Sequence, residues 1–376
     1  MKEHEKHKRF IIMLFIIVIL FSVTAHGEGS EDINDRIESL TGADKLNDLL
    51  PESIYENEET ASFDSSLLTS ENGAKSIFSL ITSVFSKEVK KNGKLLAGIC
   101  AILIISAIIS QTGVFLGNDS EIFKMICTMA LCASCCTVVS ELITTTEKHL
   151  SDMNLLMTGL LPVMSSVYGL NGQVTSGGIQ SACIILGFDI LQGIFAFVLM
   201  PGVRICFALL ITGVFSPISL EGIHRTIKNS VIGITAASMT IMSAVLYFQS
   251  VVSSSADTVL IRTAKYAAST FIPIVGSMVS EAVKTVSSGI GAVKALTGAF
   301  GVGAVIYISA FPVLGLVIKK MIFSISASSS SVLNCKREEN VLREFCSVTD
   351  MLLAFCAASA VFFLIALTIF MREFYV

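Results

Sequence analysis

The sequence predicts an all-α polytopic membrane protein with about eight transmembrane helices and additional amphipathic helices at the membrane interface. Three features of its composition support this fold class: 53% of the 376 residues are hydrophobic, only 15% are charged, and the mean hydropathy is +0.75. Soluble domains carry about 25% charged residues, so this chain has too little polar surface to cover a water-soluble globule. Nothing in the charge distribution, with a net charge of −4, indicates a nucleic-acid partner.

Residues 1–27 have the pattern of a secretory signal peptide. Lys8 and Arg9 precede an apolar run, and the small residues Ala25 and Gly27 follow it at the spacing of a cleavage site. The alternative is an anchor helix that is not cleaved. In both cases the residues that follow are delivered across the membrane.

Two segments separate the signal peptide from the apolar region. Residues 28–74 hold thirteen acidic residues against two basic ones, which predicts an acidic extracytoplasmic segment that is largely flexible. Residues 75–94 place apolar side chains at helical spacing opposite serines and lysines, which predicts an amphipathic helix in the membrane interface. A helix that binds a partner protein would show the same pattern.

Residues 95–376 form the predicted transmembrane domain. A helix needs about 20 apolar residues to cross the hydrocarbon. The runs that meet or approach this length are 95–115, 125–145, 153–170, 179–199, 203–219, 231–252, 298–318 and 350–371. The run 153–170 is ambiguous, because Gly159 and Pro162 fit either a kinked span or a re-entrant loop.

The distribution of basic residues favours a crossing at this run. Under the positive-inside rule, the basic clusters at 224–228, 319–320 and 336–343 are cytoplasmic. They reach that side from an exported N-terminal segment only if residues 153–170 cross the membrane, which gives eight spans and an external C-terminus. One observation opposes this topology, since the lysines of segment 75–94 would then lie on the outer side of the first span.

Residues 254–289 carry two acidic and three basic side chains before Gly289, in a chain that is otherwise strongly apolar. At 100° per residue, Glu281 and Lys284 lie on one helix face together with serines, while valines, alanines and a methionine fill the opposite face. The two charged residues are three positions apart, so they can form an ion pair that lowers the cost of burying either charge.

The preceding turns continue this pattern. Arg262 and Lys265 share a helix face, and Asp257 one turn earlier can serve the helix start as an N-terminal carboxylate. Pro273 then removes a backbone donor and Gly276 permits close backbone approach, which predicts a helix, a bend and a second helix. Two interpretations remain open: the polar face lines an aqueous path or a subunit contact, or both helices rest on the outer surface with their charges in water.

Asp189 is the other unusual residue, because it lies near the middle of the predicted span 179–199. A carboxylate at that depth indicates an ion or proton site, or a polar contact between helices. No cation occurs in the same run and Gln192 offers a partner three residues later, so the helix contact is the preferred interpretation. Arg204, which follows Pro201, is expected to extend to the interface.

The sequence gives no indication of an enzyme, a cofactor or a metal site. It contains no glycine-rich phosphate loop, no G-x-S-x-G and no H-E-x-x-H motif. The C-x-x-C in "CASCC" at 132–136 lies within an apolar run without a nearby histidine, which favours small buried residues over a metal or redox site.

Four short motifs occur in the stretch 254–289: S-A-D at 255–257, "IRTAKYA" at 261–267, "FIPIVG" at 271–276 and S-E-A at 280–282. They resemble the most characteristic string of the stage III sporulation protein AE family of endospore-forming bacteria. Ile261 stands in place of a leucine, Ile274 in place of a valine, and Ser277 in place of the second of two glycines. A signal peptide, an acidic segment and a polytopic region occur in the order typical of this family, and residues 159–178 are similar to a second family stretch.

The resemblance implies a place and a role that hydropathy does not show. Family members belong to a set of eight proteins made in the mother cell during spore formation, and they sit in the outer membrane around the forespore. With a forespore membrane protein, that set is thought to build a secretion-like channel, or feeding tube, between the two cells. The implied partners are the other membrane subunits and membrane lipids, and self-association is left open. The family brings no catalytic residues.

Two functional classes follow from these observations. The first is a polytopic, non-enzymatic subunit of that channel, acting as a membrane platform or as part of the conduit. The second is a transporter acting alone, a permease in which Asp189 and the pair of Glu281 and Lys284 handle substrate or a coupling ion. A transporter should move a solute in reconstituted vesicles without partners, whereas a subunit should co-purify with several other membrane proteins.

Overall fold

The computed structural model describes residues 73–116, 119–170, 173–215, 221–271 and 276–372, and the side chains of residues 252–292 are outside the described part. The predicted signal peptide and most of the acidic segment also lie outside it. The helices are α1 (Gly73–Leu116), α2 (Asp119–Leu170), α3 (Val174–Ile194), α4 (Met200–Phe215), α5 (Glu221–Phe271), α6 (Gly276–Val332) and α7 (Lys336–Arg372). The described residues contain no strand, which confirms the all-α polytopic fold class.

Six helical rods of the described part are long and apolar enough to cross a membrane, where the sequence runs predict eight spans. They cover Thr82–Ser110, Ile122–Leu170, Val174–Leu209, Gly222–Gln249, Thr297–Val332 and Lys336–Phe370. The difference arises because two pairs of runs are each joined into one rod. The runs 125–145 and 153–170 both lie in α2, so residues 153–170 are neither a separate span nor a re-entrant loop.

The runs 179–199 and 203–219 are joined in the same way. A π-helical turn at Phe195–Leu199 connects α3 directly to α4 without interrupting the rod, and the backbone N–H of Met200 donates to the carbonyl of Phe195. A π turn inserts one extra residue, so it widens the helix and shifts the residues that follow around the axis. The segment 75–94 is likewise continuous with the first apolar run inside α1.

The polar middle of α2 stays helical because its side chains bond to the helix itself. The hydroxyls of Thr144, Thr145 and Thr146 donate to the carbonyls four residues earlier, at 2.8–3.2 Å. Such bonds satisfy hydroxyl groups without breaking the backbone ladder. The sequence stretch 140–154 therefore resembles a loop in composition but not in structure.

Helices α2 and α7 run side by side in the same direction. Three contacts fix their alignment, from Thr128 to Glu338, from Thr146 to Cys356 and from His149 to Ser359, and each joins residues that are 210 positions apart. A constant separation is what two parallel helices in one register produce. α7 also contacts α3, α4, α5 and α6, which makes it the central helix of the bundle.

Glu338, in the first turn of α7, joins three helices. Its carboxylate is buried and accepts hydrogen bonds from Ser106 of α1 at 2.6 Å and from Thr128 of α2 at 3.1 Å. Burial raises the pKa of the neighbouring Cys335 thiol, and the Glu338 carboxylate raises it further. Because a buried carboxylate needs hydrogen-bond donors, the two hydroxyls stabilise this end of the bundle.

The core of the bundle consists of aromatic and aliphatic side chains centred on α7. Phe345 packs against Phe207 and Phe323, and Phe355 against Phe195, with ring centroids 5.6–6.0 Å apart. Closer approaches occur at small residues. A methyl group on Gly187 of α3 would lie 2.1 Å from the ring of Phe362, so only glycine fits there.

The predicted bend around Pro273 falls between two long helices. α5 ends at Phe271 and α6 begins at Gly276, so helix stands on both sides of the bend as the sequence predicts. Pro273 itself lies outside the described residues. The two helices have 51 and 57 residues, so the polar stretches are the ends of long rods rather than separate short helices.

Candidate functional site

A layer of lysines and carboxylates crosses the middle of the bundle. In its first half, Glu141 of α2 lies between Lys91 of α1, at 3.6 Å, and Lys319 of α6, at 3.3 Å. Lys319 is almost fully buried, whereas Lys91 and Glu141 are largely exposed. Glu141 is the carboxylate that the structure places against the buried Lys319 cation, whose desolvation makes such a partner necessary.

The second half of the layer is centred on Asp350 of α7. Each of its carboxylate oxygens contacts one lysine, Oδ2 with Lys228 of α5 and Oδ1 with Lys320 of α6. Lys319 and Lys320 are consecutive and point about 100° apart, so α6 serves both halves at one level. We call these six residues the ion-pair layer. It holds four lysines against two carboxylates, so it carries an excess of positive charge.

One turn before this level, a histidine and a carboxylate meet in the interior. His224 near the start of α5 is buried, and its ring contacts the carboxylate of Glu344 of α7. Through this contact, the basic cluster 224–228 of α5 packs against α7. All three basic clusters that the sequence assigns to the cytoplasm therefore lie either in the ion-pair layer or on the same side of it.

The ion-pair layer lies at one boundary of an apolar layer as thick as a bilayer. Asp350 and Phe370 are 20 residues apart on α7, a distance of about 30 Å, which matches the hydrocarbon thickness. α5, α6 and α7 carry no charged residue over 229–251, 295–318 and 351–371. We call this region the upper apolar layer.

An outer groove of about 580 Å³ opens on the surface of the bundle between α2 and the rod of α3 and α4. Phe195 and Ala196 of the π-helical turn are among the residues that line it. Apolar and polar side chains line it together: Glu147, Leu150, Ser151 and Asn154 from α2, and Phe188, Gln192, Phe195, Ala196, Met200 and Arg204 from the other rod. Two charges of opposite sign, Glu147 and Arg204, are exposed within it.

Asp189 lies beside the outer groove, one turn before Gln192 on the exposed surface of α3. Its depth follows from Gly187, which packs against Phe362 of α7. Phe362 is 12 residues from Asp350, about 18 Å into the upper apolar layer. Asp189 is therefore exposed near the middle of that layer and does not face the bundle interior, and its predicted role in a polar contact between helices stays a prediction.

The other predicted site residues lie in the two helix ends next to the bend. Asp257, Arg262 and Lys265 are in the last third of α5, and Gly276, Glu281 and Lys284 are in the first turns of α6. Their side chains, and Pro273 as a whole, are outside the described part, so their pairing and the use of this surface stay predictions.

Sequence reasoning identified the four lysines of the ion-pair layer, but it missed the two carboxylates of that layer and most residues of the outer groove. The basic residues were visible, but their carboxylate partners were not. Glu141 and Asp350 look like the ordinary polar ends of predicted spans. Glu147 and Asn154 fell in a stretch that resembles a loop. The sequence feature that could have located the groove is the pair of polar residues Asp189 and Gln192 within an apolar run, since Gln192 lines one side of it.

The comparison of sequences decides the family. The sequence model of the stage III sporulation protein AE family matches residues 66–373, which is most of the chain. The chain belongs to this family. A family member from Bacillus subtilis (strain 168), named stage III sporulation protein AE, is 24% identical over 315 residues, covering 81% of this chain and 78% of that protein. No solved structure matches the chain.

Membership in the stage III sporulation protein AE family, together with the six apolar rods, makes this chain a sporulation-related integral membrane protein. The matched region includes every helix described above, since it begins before Gly73 and reaches past Arg372. The ion-pair layer and the outer groove both belong to the family region.

Proposed function

We propose that this chain is a non-enzymatic membrane subunit of a secretion-like channel that joins the mother cell to the forespore during endospore formation. It acts in the outer forespore membrane, which belongs to the mother cell, and its partners are the other membrane subunits of the channel complex and the surrounding lipid. Family membership supports the link to sporulation. The outer groove supports the role of a subunit.

The observation that carries the proposal is the position of Asp189. An ionised carboxylate facing hydrocarbon near the middle of a bilayer costs several kcal/mol, so such residues face protein or water. Asp189, Glu147, Gln192 and Arg204 are all exposed on one side of the bundle, between the middle of the upper apolar layer and the level of the ion-pair layer. A neighbouring subunit that covers this side would supply partners for these groups and remove them from lipid.

The charge of the ion-pair layer supports an orientation. Its excess lysines favour the cytoplasmic side under the positive-inside rule, here the mother-cell cytoplasm. The upper apolar layer then extends outward from it, and Phe370 lies toward the space between the two membranes. In this orientation Lys91 stands on the same side as Lys228 and Lys320.

A transporter acting alone fits these observations less well. Transporters hold substrate and ions near the bilayer midplane between two halves of the bundle, in a site closed off from lipid. Asp189 lies instead on the outside of α3, next to an open groove. Neutralisation of Asp189 is therefore expected to weaken association with other subunits, without abolishing a transport activity of the isolated protein.

Photocrosslinking in sporulating cells tests the proposal. A photoreactive amino acid at Gln192, in the outer groove, should yield adducts with another membrane protein of the channel. Ile241 of α5 is the matched control, because it is exposed 13 residues, about 20 Å, beyond Lys228 and so also lies in the upper apolar layer, on a helix without charged residues at that level. The same probe at Ile241 should react with lipid. Adducts with lipid alone at both positions would contradict the proposal, as would solute flux through vesicles that contain only this chain.

A further inference from the structure

The helices are too long for one bilayer. α2 has 52 residues and α1 has 44, which correspond to about 78 Å and 66 Å, against a hydrocarbon thickness of about 30 Å. A second apolar layer accounts for the excess length. It lies on the other side of the ion-pair layer, where α1 from 95 to 110 and α2 from 125 to 140 carry no charged residue. We call it the lower apolar layer.

Only one of the two layers can occupy the bilayer, because the ion-pair layer between them cannot lie at its centre. The upper layer is the better candidate, since α5, α6 and α7 are all uncharged there, although α2 and α3 carry charged residues such as Glu147 and Asp189 at that level. On the other side, α7 begins with "KREENVLREF", and α6 ends in the serine-rich stretch 324–331. The lower apolar layer therefore extends beyond the hydrocarbon on the side of the basic clusters.

The lower layer exposes large apolar side chains on the hairpin of α1 and α2. Ile104, Ile105 and Ile108 form an exposed stripe at helical spacing on α1, and Ile122, Ile126 and Met129 form another on α2, each 47–59% exposed. Both stripes lie at one level, because Ser106 and Thr128 bind the same Glu338 oxygen. In water this apolar band needs a protein partner.

We propose that the lower apolar layer is the surface through which two copies of this chain associate, hairpin against hairpin, as a four-helix arrangement outside the bilayer. At roughly 100 Å² for each half-exposed side chain, the six residues bury roughly 600 Å² per copy, or ~1,200 Å² in the pair, which reaches the range of specific interfaces. Copies in one membrane share an orientation, so a second copy presents its own band at the required height.

The sizes of the exposed residues along the hairpin are compatible with contact between two identical hairpins. The large stripes occupy the end near the α1–α2 connection. Nearer the ion-pair layer, the exposed residues are small on both helices: Ala97 and Ala101 on α1, and Ala133 and Ser134 on α2. A two-fold axis along the bundle sets large residues against large ones, and small against small, so that the backbones can approach closely.

Co-expression of two differently tagged copies in a host that makes no sporulation proteins tests this inference apart from the proposed function. A photoreactive amino acid at Ile105 should give an adduct of double mass that carries both tags. Ile325 of α6 is the matched control, because it is exposed to 52% on the same side of the ion-pair layer but outside the hairpin. The probe at Ile325 should give no such adduct.

Substitution provides the second measurement. I105K combined with I126K should lower the co-purification of the second tag about tenfold or more, while I325K should leave it unchanged. Membrane-inserted wild-type protein that gives neither a double-mass adduct nor co-purification of the tags overturns the inference, and so does pairing that persists at full strength in the double variant. An Ile105 adduct only with a different protein in sporulating cells, without self-association, assigns the surface to another partner and also overturns it.

Discussion

The two lysines that share Glu141 lead us to predict a large loss of stability for E141Q and a small loss for K91M. Lys319 is 6% exposed and Lys91 is 64% exposed, although both contact the same carboxylate oxygen. Breaking a fully buried pair costs about 3–5 kcal/mol, whereas an exposed pair contributes about 0–1 kcal/mol. Because Glu141 is itself half exposed, we discount the buried value and expect E141Q to lower the free energy of unfolding by about 2 kcal/mol. K91M should lower it by less than about 0.5 kcal/mol.

The melting temperature of the purified protein in detergent measures this difference. The chain has no tryptophan but has buried cysteines such as Cys135 and Cys356, so a thiol-reactive fluorescent dye reports unfolding as these thiols become exposed. At about 2–4 °C per kcal/mol, E141Q should melt about 4–8 °C lower and K91M within about 2 °C of wild type.

A double variant completes the test. K319M in the E141Q background removes the unpaired buried cation, so it should restore most of the lost melting temperature. Equal losses for K91M and E141Q would refute the reasoning, because they would show that burial of Lys319 does not set the cost. A double variant no more stable than E141Q alone would lead to the same conclusion.

Two further predictions concern the packing of the bundle and the polar ends of α5 and α6. G187A should destabilise the bundle by about 1–3 kcal/mol, because the added methyl group would lie 2.1 Å from the Phe362 ring, while G193A on the same helix meets nothing within 4 Å and should be neutral or slightly stabilising in the same melting assay. Charge reversal E281K should reduce spore formation more than E56K, since Glu281 lies on a predicted polar helix face and Glu56 in the acidic segment; equal sporulation of the two strains would count against it.

The fold class follows from the sequence because it depends on composition and on the length of apolar runs. The number of rods does not, and α2 shows why. Its middle contains Glu141, Glu147, Lys148, His149 and Asp152 within a short stretch, which is typical of a loop between spans. Whether such a stretch breaks the helix depends on partners that are distant in sequence, here Lys319 and the parallel neighbour α7.

The lysines of segment 75–94 also show that the position of a residue in the bundle depends on contacts that the sequence alone does not reveal. As the outer flank of a first span, they contradict the positive-inside rule. In the structure Lys91 stands against Glu141 and at the level of Lys319, so it lies with the basic clusters assigned to the cytoplasm. The conflict disappears if the bilayer lies on the upper apolar layer, as proposed above, and not on residues 95–115, the most apolar run of α1. Hydropathy identifies apolar surface, but it does not distinguish surface that faces lipid from surface that faces another protein.

The outer groove and the lower apolar layer each expose side chains that are unfavourable in an isolated membrane protein, polar ones in the groove and apolar ones in the lower layer. The groove places Asp189 and Gln192 where a lone bundle would face hydrocarbon, and the lower layer places Ile105 and Ile126 where it would face water. Each would cost free energy in a monomer. Lipid cannot lower either cost, because acyl chains cannot pair with the polar groups of the groove and the bilayer does not reach the lower apolar layer. Protein surfaces can relieve both, at different heights and on different helices, so the two contacts can be occupied at once and tested independently.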